Sequence, residues 1–373
     1  MSVRLRPVSW SDLPGWADDD HAAALRALRR TTRHVAANGP HKTGALGIDG
    51  GAFAPAYAAA SDVGDGADEA RAFFESWFAP HAVEGGALGG PDGTGFVTGF
   101  YEPDLAVAEE RSGEFAHPIH APPAPLEKNG GSLAGGQAWG WRTPDGLAEA
   151  PDRASIERDA AACGPLTADW PVIAWARDRI DLFFVHVQGA ARLHFADGTV
   201  RRVTYAAKSG HPFTGIGREL VAMGELPGGG VTMGTIREWL AAHPTRVDEL
   251  LRRNRSYIFF REVPVDDPAL GPVAAAKVPL QPGRSLAVDR LLHTFGTPVH
   301  VSAPTLRYGG EPFARLMVAQ ETGTAIVGAA RGDIFTGSGA AAGEVAGAIA
   351  HPARFTVLAP RPAPGAPPGT TTA

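Results

Sequence analysis

Two glycine-flanked segments near the C-terminus carry the residue types that could do acid–base chemistry. One is Val278-Pro-Leu-Gln-Pro-Gly-Arg-Ser-Leu-Ala-Val-Asp289-Arg290. The other is Ala319-Gln-Glu321-Thr-Gly-Thr-Ala-Ile-Val-Gly-Ala-Ala-Arg-Gly-Asp333-Ile-Phe-Thr-Gly-Ser-Gly339. Each sets an acidic residue beside a strand-like apolar run, with glycines that let a ligand or a second backbone come close. A carboxyl at a strand end in apolar surroundings can have its pKa raised, as a general acid requires. Asp333 is therefore the candidate acid, although an Asp in such a pattern is ordinarily a surface or turn residue.

Other chemistries find less support. Gly332-Asp-Ile-Phe-Thr-Gly lacks the Lys and the adjoining helix of a phosphate loop. The 13 histidines form no H-E-x-x-H or H-x-H cluster, so no metal and no other cofactor is expected. There is no G-x-S-x-G elbow, though counting residues leaves Ser-His-Asp chemistry open. The single cysteine, Cys163, excludes an internal disulfide and any Cys-rich metal site. With no local His pattern to activate it, it reads as a small buried or half-buried residue.

The elements that must position these groups alternate in texture. The first hundred residues read as helical. Asp18 to Asp20 cap His21-Ala-Ala-Ala-Leu-Arg-Ala-Leu-Arg-Arg, and Asp68 and Glu69 open a segment with Phe73, Phe74, Trp77 and Phe78 as a core stripe. From about residue 95 short β-like runs appear: Gly95–Tyr101, then a stronger one at Ile180–Gln188. Alternation on that run puts His186 and Gln188 on one face and Val185 and Val187 on the other. Asp197-Gly198 between Arg192-Leu-His-Phe and Val200–Tyr205 is the clearest hairpin signal. Residues 124 to 150 suggest an exposed excursion. Helical spacing returns over Thr232–Asn254, and strands follow at Tyr257–Arg261, Pro298–Val301 and Arg315–Ala319. The order helical, β, helical, β suggests one β-domain inserted into another.

Composition bounds the function class. Hydrophobic residues make up 44% and charged residues 20%, ordinary for a globular protein. A net charge of -6 argues against nucleic acid as a partner, since no excess of Lys and Arg neutralises phosphates. No run approaches the roughly 20 apolar residues of a membrane span, and no export signal follows Met1.

Taken in order, seven stretches resemble the membrane-bound lytic murein transglycosylase A (MltA) family. They are Thr98-Gly-Phe-Tyr-Glu-Pro103, Gly113-Glu-Phe-Ala-His-Pro-Ile119, Phe184-Val-His-Val-Gln-Gly189, Gly210-His-Pro-Phe-Thr-Gly-Ile-Gly217, Asn254-Arg-Ser-Tyr-Ile-Phe-Phe260, Gly283-Arg-Ser-Leu-Ala-Val-Asp289, and Arg315-Leu-Met-Val-Ala-Gln through Gly339. The resemblance implies a mainly β protein with flanking helices: a double-psi β-barrel domain, an inserted β-barrel domain, and a groove between them. The expected boundaries are 1–103 and 236–358 for the discontinuous catalytic domain, 104–235 for the insert, and 359–373 as a disordered tail.

The resemblance also implies a lyase cutting the β-1,4 bond between N-acetylmuramic acid and N-acetylglucosamine with a 1,6-anhydromuramic product. Asp333 sits where the family has its single acid/base. Asp289 and Glu321 occupy the other acidic motif positions and count among the candidate substrate-binding residues. A structural role is the preferred reading for Asp289, while for Glu321, a departure from the usual Asp, a site contact and backbone anchoring both stay open. Thr98, Tyr101 and Gln188 are candidate substrate contacts, while His186 reads as structural. Implied partners are peptidoglycan glycan strands, with cell-wall synthesis or division proteins, and the implied state is a monomer in the periplasm or at the outer membrane. Two other classes stay open: a hydrolase in which Asp289 or Glu321 positions water, and a noncatalytic wall-binding module.

Overall fold

The computed structural model describes residues 3–85, 94–128, 138–229 and 231–362. The chain opens with β1 (Arg4–Pro7), α1 (His21–Asn38), α2 (Ala54–Ala60), α3 (Ala67–Trp77), β2 (Phe78–Glu84) and β3 (Gly95–Glu102). Next come β4 (Asp104–Ala108), β5 (His117–His120), β6 (Leu126–Lys128), β7 (Trp139–Thr143), β8 (Gly146–Ala148), α4 (Arg153–Ala161) and β9 (Val172–Ala176). Then follow α5 (Arg179–Gln188), β10 (Ala190–His194), β11 (Val200–Lys208), α6 (Ile216–Ala222), α7 (Met233–Ala242), α8 (Val247–Arg253) and β12 (Ile258–Val263). The chain finishes with β13 (Ser285–Val288), β14 (Pro298–Tyr308), β15 (Glu311–Glu321), β16 (Arg331–Ser338), α9 (Ala340–Gly347) and β17 (Ala350–Pro360). The protein is mainly β with flanking helices, as expected.

Two units emerge. The first comprises residues 1–100, 269–337 and 344–373; the second comprises 101–268 and 338–343. In the first, strands run in the order β17-β14-β15-β13-β16-β3, and β3 pairs back onto β17 through Thr98↔Ala350 and Val97↔His351. Six strands therefore close a ring, with β2 and β1 continuing outward from β17. The inward faces supply Leu286, Val299, Val301, Leu316, Val318, Ile334, Phe355 and Val357, all buried. Helix α1 starts where Asp20 accepts the Ala23 N–H at 2.9 Å, and its small Ala24 and Ala27 are fully buried, which lets it pack closely. Just before it, Asp19 is paired with Arg284 at 2.8 Å, with both side chains buried, and also accepts the Leu316 N–H.

In the second unit the order is β12-β11-β10-β4-β9-β5, and β12 lies against β5, which closes a six-stranded barrel. Its core includes Leu105, Val107, Ile119, Ala174, Leu193, Val203 and Phe260. The Asp197-Gly198 hairpin is present: Asp197 accepts the Thr199 N–H at 2.8 Å and Gly198 has φ 88°. Helices α5 to α8 bury Phe183, Phe184, Leu220, Trp239 and Leu250 together.

Several expectations are corrected. Ile180–Gln188 is the helix α5, not a strand. Asp178 caps it by accepting the Ile180 and Asp181 N–H groups, and Gly189 ends it at φ 80°. It is buried on nearly every face, so its apolar run carries no helical period and mimics a buried strand. Val185 and His186 are consequently both buried, and strand alternation does not apply. The second unit runs to Pro268 instead of 235, because α7, α8 and β12 pack with its own helices and sheet. The helical run Thr232–Asn254 is broken after Ala242, where Pro244 follows. Ala359 and Pro360, assigned to the tail, belong to β17 and pair with Ala79 and Phe78; 363–373 lie outside the described residues. The 124–150 excursion contains the three-stranded sheet β6-β7-β8, while 129–137 lie outside the described residues. Cys163 is exposed, since it closes the turn after α4 at φ 51°.

Candidate active site

Asp333 lies near the start of β16, one of the six strands of the closed ring. Alternation sends Ile334 into the main core, where it pairs with Leu286, and puts Asp333 on the opposite face with Arg331. Thr98 arrives from β3, and its hydroxyl donates to Asp333 Oδ1 at 2.5 Å. Arg331 Nη2 donates in turn to Thr98 Oγ1 at 2.7 Å. The guanidinium is held by a second bond to the Gly332 carbonyl and by the Phe96 ring, 5.8 Å from its centroid.

Burial is the largest influence on Asp333 and favours the neutral acid. The Thr98 hydroxyl and the Arg331 charge act the other way but do not cancel it, so the carboxyl is pushed up to about 6. A group poised there is protonated in part near neutrality and can both give and take a proton.

The other two acids are already engaged. Asp289 is buried just after β13 and accepts the Leu291 N–H at 3.0 Å and the Gly328 N–H at 2.9 Å, tying two loops together. Glu321 ends β15. Both of its oxygens lie 3.2 Å from the Ala275 N–H, and one accepts the Thr322 N–H at 2.7 Å. Burial pushes the Glu321 carboxyl up to about 7 against these amides and the Lys277 charge. Ala287 of β13 pairs with Asp333 on one side and Glu321 on the other. The two acids are thus two strand spacings apart, about 10 Å between Cα atoms.

Tyr101 and Gln188 come together in the second unit. The Tyr101 N–H donates to Gln188 Oε1 at 3.2 Å, and the Tyr101 ring is buried. A Cβ on Gly343 would sit 2.8–2.9 Å from that ring, so any larger residue there would have to displace it. Next to Tyr101, Glu102 pairs with Arg202 at 2.7 Å, with side chains 0% and 4% exposed, and accepts from Ser338 at 2.6 Å. His186 is buried and accepts the Ile258 N–H at 3.3 Å; burial holds it neutral. Among the described residues no cluster of three or more His, Cys, Asp or Glu is placed to hold a metal.

Comparison with known proteins supplies the lineage. A model described as the MltA specific insert domain matches residues 96–261, and the 3D domain model matches 284–359. Membrane-bound lytic murein transglycosylase A of Escherichia coli K12 is 32% identical over 293 residues, covering 76% of this chain and 71% of that protein. The chain belongs to the lytic murein transglycosylase A family. The crystal structure of the membrane-bound lytic murein transglycosylase from Agrobacterium tumefaciens superimposes with a TM-score of 0.87 at 45% identity, covering 97% of this chain and 98% of that one. E. coli MltA with bound chitohexaose gives 0.69 at 26% identity, covering 96% and 95%.

Within this MltA-family chain, sequence reasoning named Thr98 and Asp333 but passed over Arg331 and the Glu102–Arg202 pair. Arg331 was legible in principle, since it stands two positions before the acid on the same strand face. The Glu102 partner was not, because nothing in the spacing joins residues 102 and 202.

Proposed function

We propose that this protein is a lytic transglycosylase acting on peptidoglycan, with Asp333 as its acid/base. The bond cut is the β-1,4 link between N-acetylmuramic acid and N-acetylglucosamine. Protonated Asp333 gives its proton to the departing glycosidic oxygen as the bond to C1 breaks. The resulting carboxylate is stabilised by the Thr98 hydroxyl and the Arg331 charge. It then takes the proton of the C6 hydroxyl while O6 bonds to C1, giving a 1,6-anhydromuramic end and restoring the acid. No water is consumed, and one carboxyl suffices. The substrate's N-acetyl group can help stabilise the positive centre, which removes the need for a second carboxylate.

The observation that carries this reading is the pairing of a half-buried, raised-pKa carboxyl with a hydroxyl from a distant strand. It favours one carboxyl over two, because Glu321 and Asp289 are committed to backbone amides. The names of the curated relatives support a place in the cell envelope, and among the described residues no helix is long and apolar enough to cross a membrane.

The test is digestion of purified sacculi by the protein and by Asp333→Asn, with sugar ends identified by mass spectrometry. Anhydromuramic ends that fall by a factor of 10² or more in the variant support the reading. Reducing ends would instead mean hydrolysis, and no cleavage by the unmodified protein would mean a binding module.

A further inference from the structure

We infer that Arg331 is a positioning residue that fixes which oxygen of Asp333 carries the transferable proton, acting through the Thr98 hydroxyl. This rests on Asp333 being the acid/base. A guanidinium has donors and no acceptor, so at 2.7 Å Thr98 Oγ1 must be the acceptor of the Arg331 bond. Charge-assisted donation takes one lone pair of Oγ1 and polarises its O–H, making the hydroxyl a better donor and a poorer acceptor. The hydroxyl proton then belongs to Asp333 Oδ1, at 2.5 Å. An oxygen that accepts this bond is the poor place for the acid's own proton. The proton of neutral Asp333 therefore sits on Oδ2.

Without Arg331 the hydroxyl could reverse, accepting a proton held on Oδ1 and turning it away from a leaving group on the Oδ2 side. The arrangement is braced against such loosening: Arg331 is pinned by the Gly332 carbonyl and the Phe96 ring. It is also the charge that acts on Asp333 among the described residues. Arg331 and Asp333 share a strand face, so the relay is built into β16 and needs β3 only for Thr98.

The experiment is a double-mutant cycle read by pH–rate profiles on sacculi. Asp333→Asn comes first: if it keeps forming anhydromuramic ends, the acid/base reading falls, independently of Arg331. Given its loss, R331Q lowers kcat about tenfold with little change in KM. Removing the cation also moves the alkaline limb to higher pH, since the carboxylate loses a stabilising charge. R331K keeps the charge and a donor, so it leaves the limb in place and recovers most of kcat. In the T98V background, with no hydroxyl to orient, R331Q changes kcat less than about twofold. Equal fold losses from R331Q with and without Thr98 would overturn the inference, as would a limb that stays put. If R331Q shows no cooperative melt, R331K crossed with T98V gives the same cycle: non-additive losses support the relay and additive ones refute it.

Discussion

Replacing Asp333 by Asn should make the protein more stable at pH 7 while disabling it. The carboxyl has an ordinary pKa of 3.8 and is pushed up to about 6 by burial. Two units at 1.36 kcal/mol each give about 3 kcal/mol as the cost of ionising Asp333 in place. Because the residue is half-buried, about 1–3 kcal/mol is the working range. Asn keeps the shape and an acceptor for the Thr98 hydroxyl but has no charge to desolvate. The sign follows from linkage. A raised folded-state pKa means the folded protein binds the proton more tightly, so Asp333 costs nothing below about pH 4. The penalty grows between about 4 and 6 and is complete above that. The stability gain of D333N should therefore be near zero at pH 4 and level off above pH 6. Other raised groups, Glu321 included, are common to both proteins and cancel in the difference. Calorimetry across pH 4 to 8 reads this as a melting shift of several degrees at pH 7, for a unit of roughly 200 residues. A difference that is flat with pH, or a D333N protein less stable at pH 7, would refute the account of how Asp333 is tuned.

Three further outcomes follow from the packing. Glu102→Ala leaves the Arg202 guanidinium without its buried carboxylate and should cost about 3–5 kcal/mol in urea unfolding; replacing both residues by Leu should recover most of it. Gly343→Ala drives a methyl to 2.8 Å from the Tyr101 ring and should cost about 1–3 kcal/mol, a loss that Y101L in the same chain relieves. Glu321→Asp withdraws the carboxylate by one methylene from the Ala275 amide, a loss of about 1 kcal/mol that hydrogen exchange reads as about fivefold faster opening at Ala275.

The legible parts of this molecule were those with local signals. Asp20 caps α1, and Asp197-Gly198 turns a hairpin, because caps and turns act within a few residues. Asp333 stands out as a candidate from its strand setting and from motifs in family order, and the structure places its carboxyl against the Thr98 hydroxyl. What failed was the reading of α5, in which Leu182 to His186 are buried in succession by tertiary packing that no periodicity reveals. The decisive signals there, Asp178 as cap and Gly189 in the left-handed region, were present in the sequence and outweighed by β-branched composition. The second unit boundary was misplaced for a related reason: α7 and α8 are helices like those of the first unit, and only their partners assign them. Glu102 and Arg202 meet by a pairing 100 positions long, beyond any local rule.

The closed ring of the first unit also constrains the order in which the chain can fold. Its closure pairs β3 with β17, strands far apart in sequence, through Thr98↔Ala350. Thr98 and Asp333, 235 positions apart, belong to that ring. By contrast, 101–268 of the second unit is continuous, so its loops close early at small entropic cost. A nascent or truncated chain ending before Ala350 would hold all six strands of the insert barrel and no closed ring. The contact between Thr98 and Asp333 is thus among the last this chain acquires as it folds.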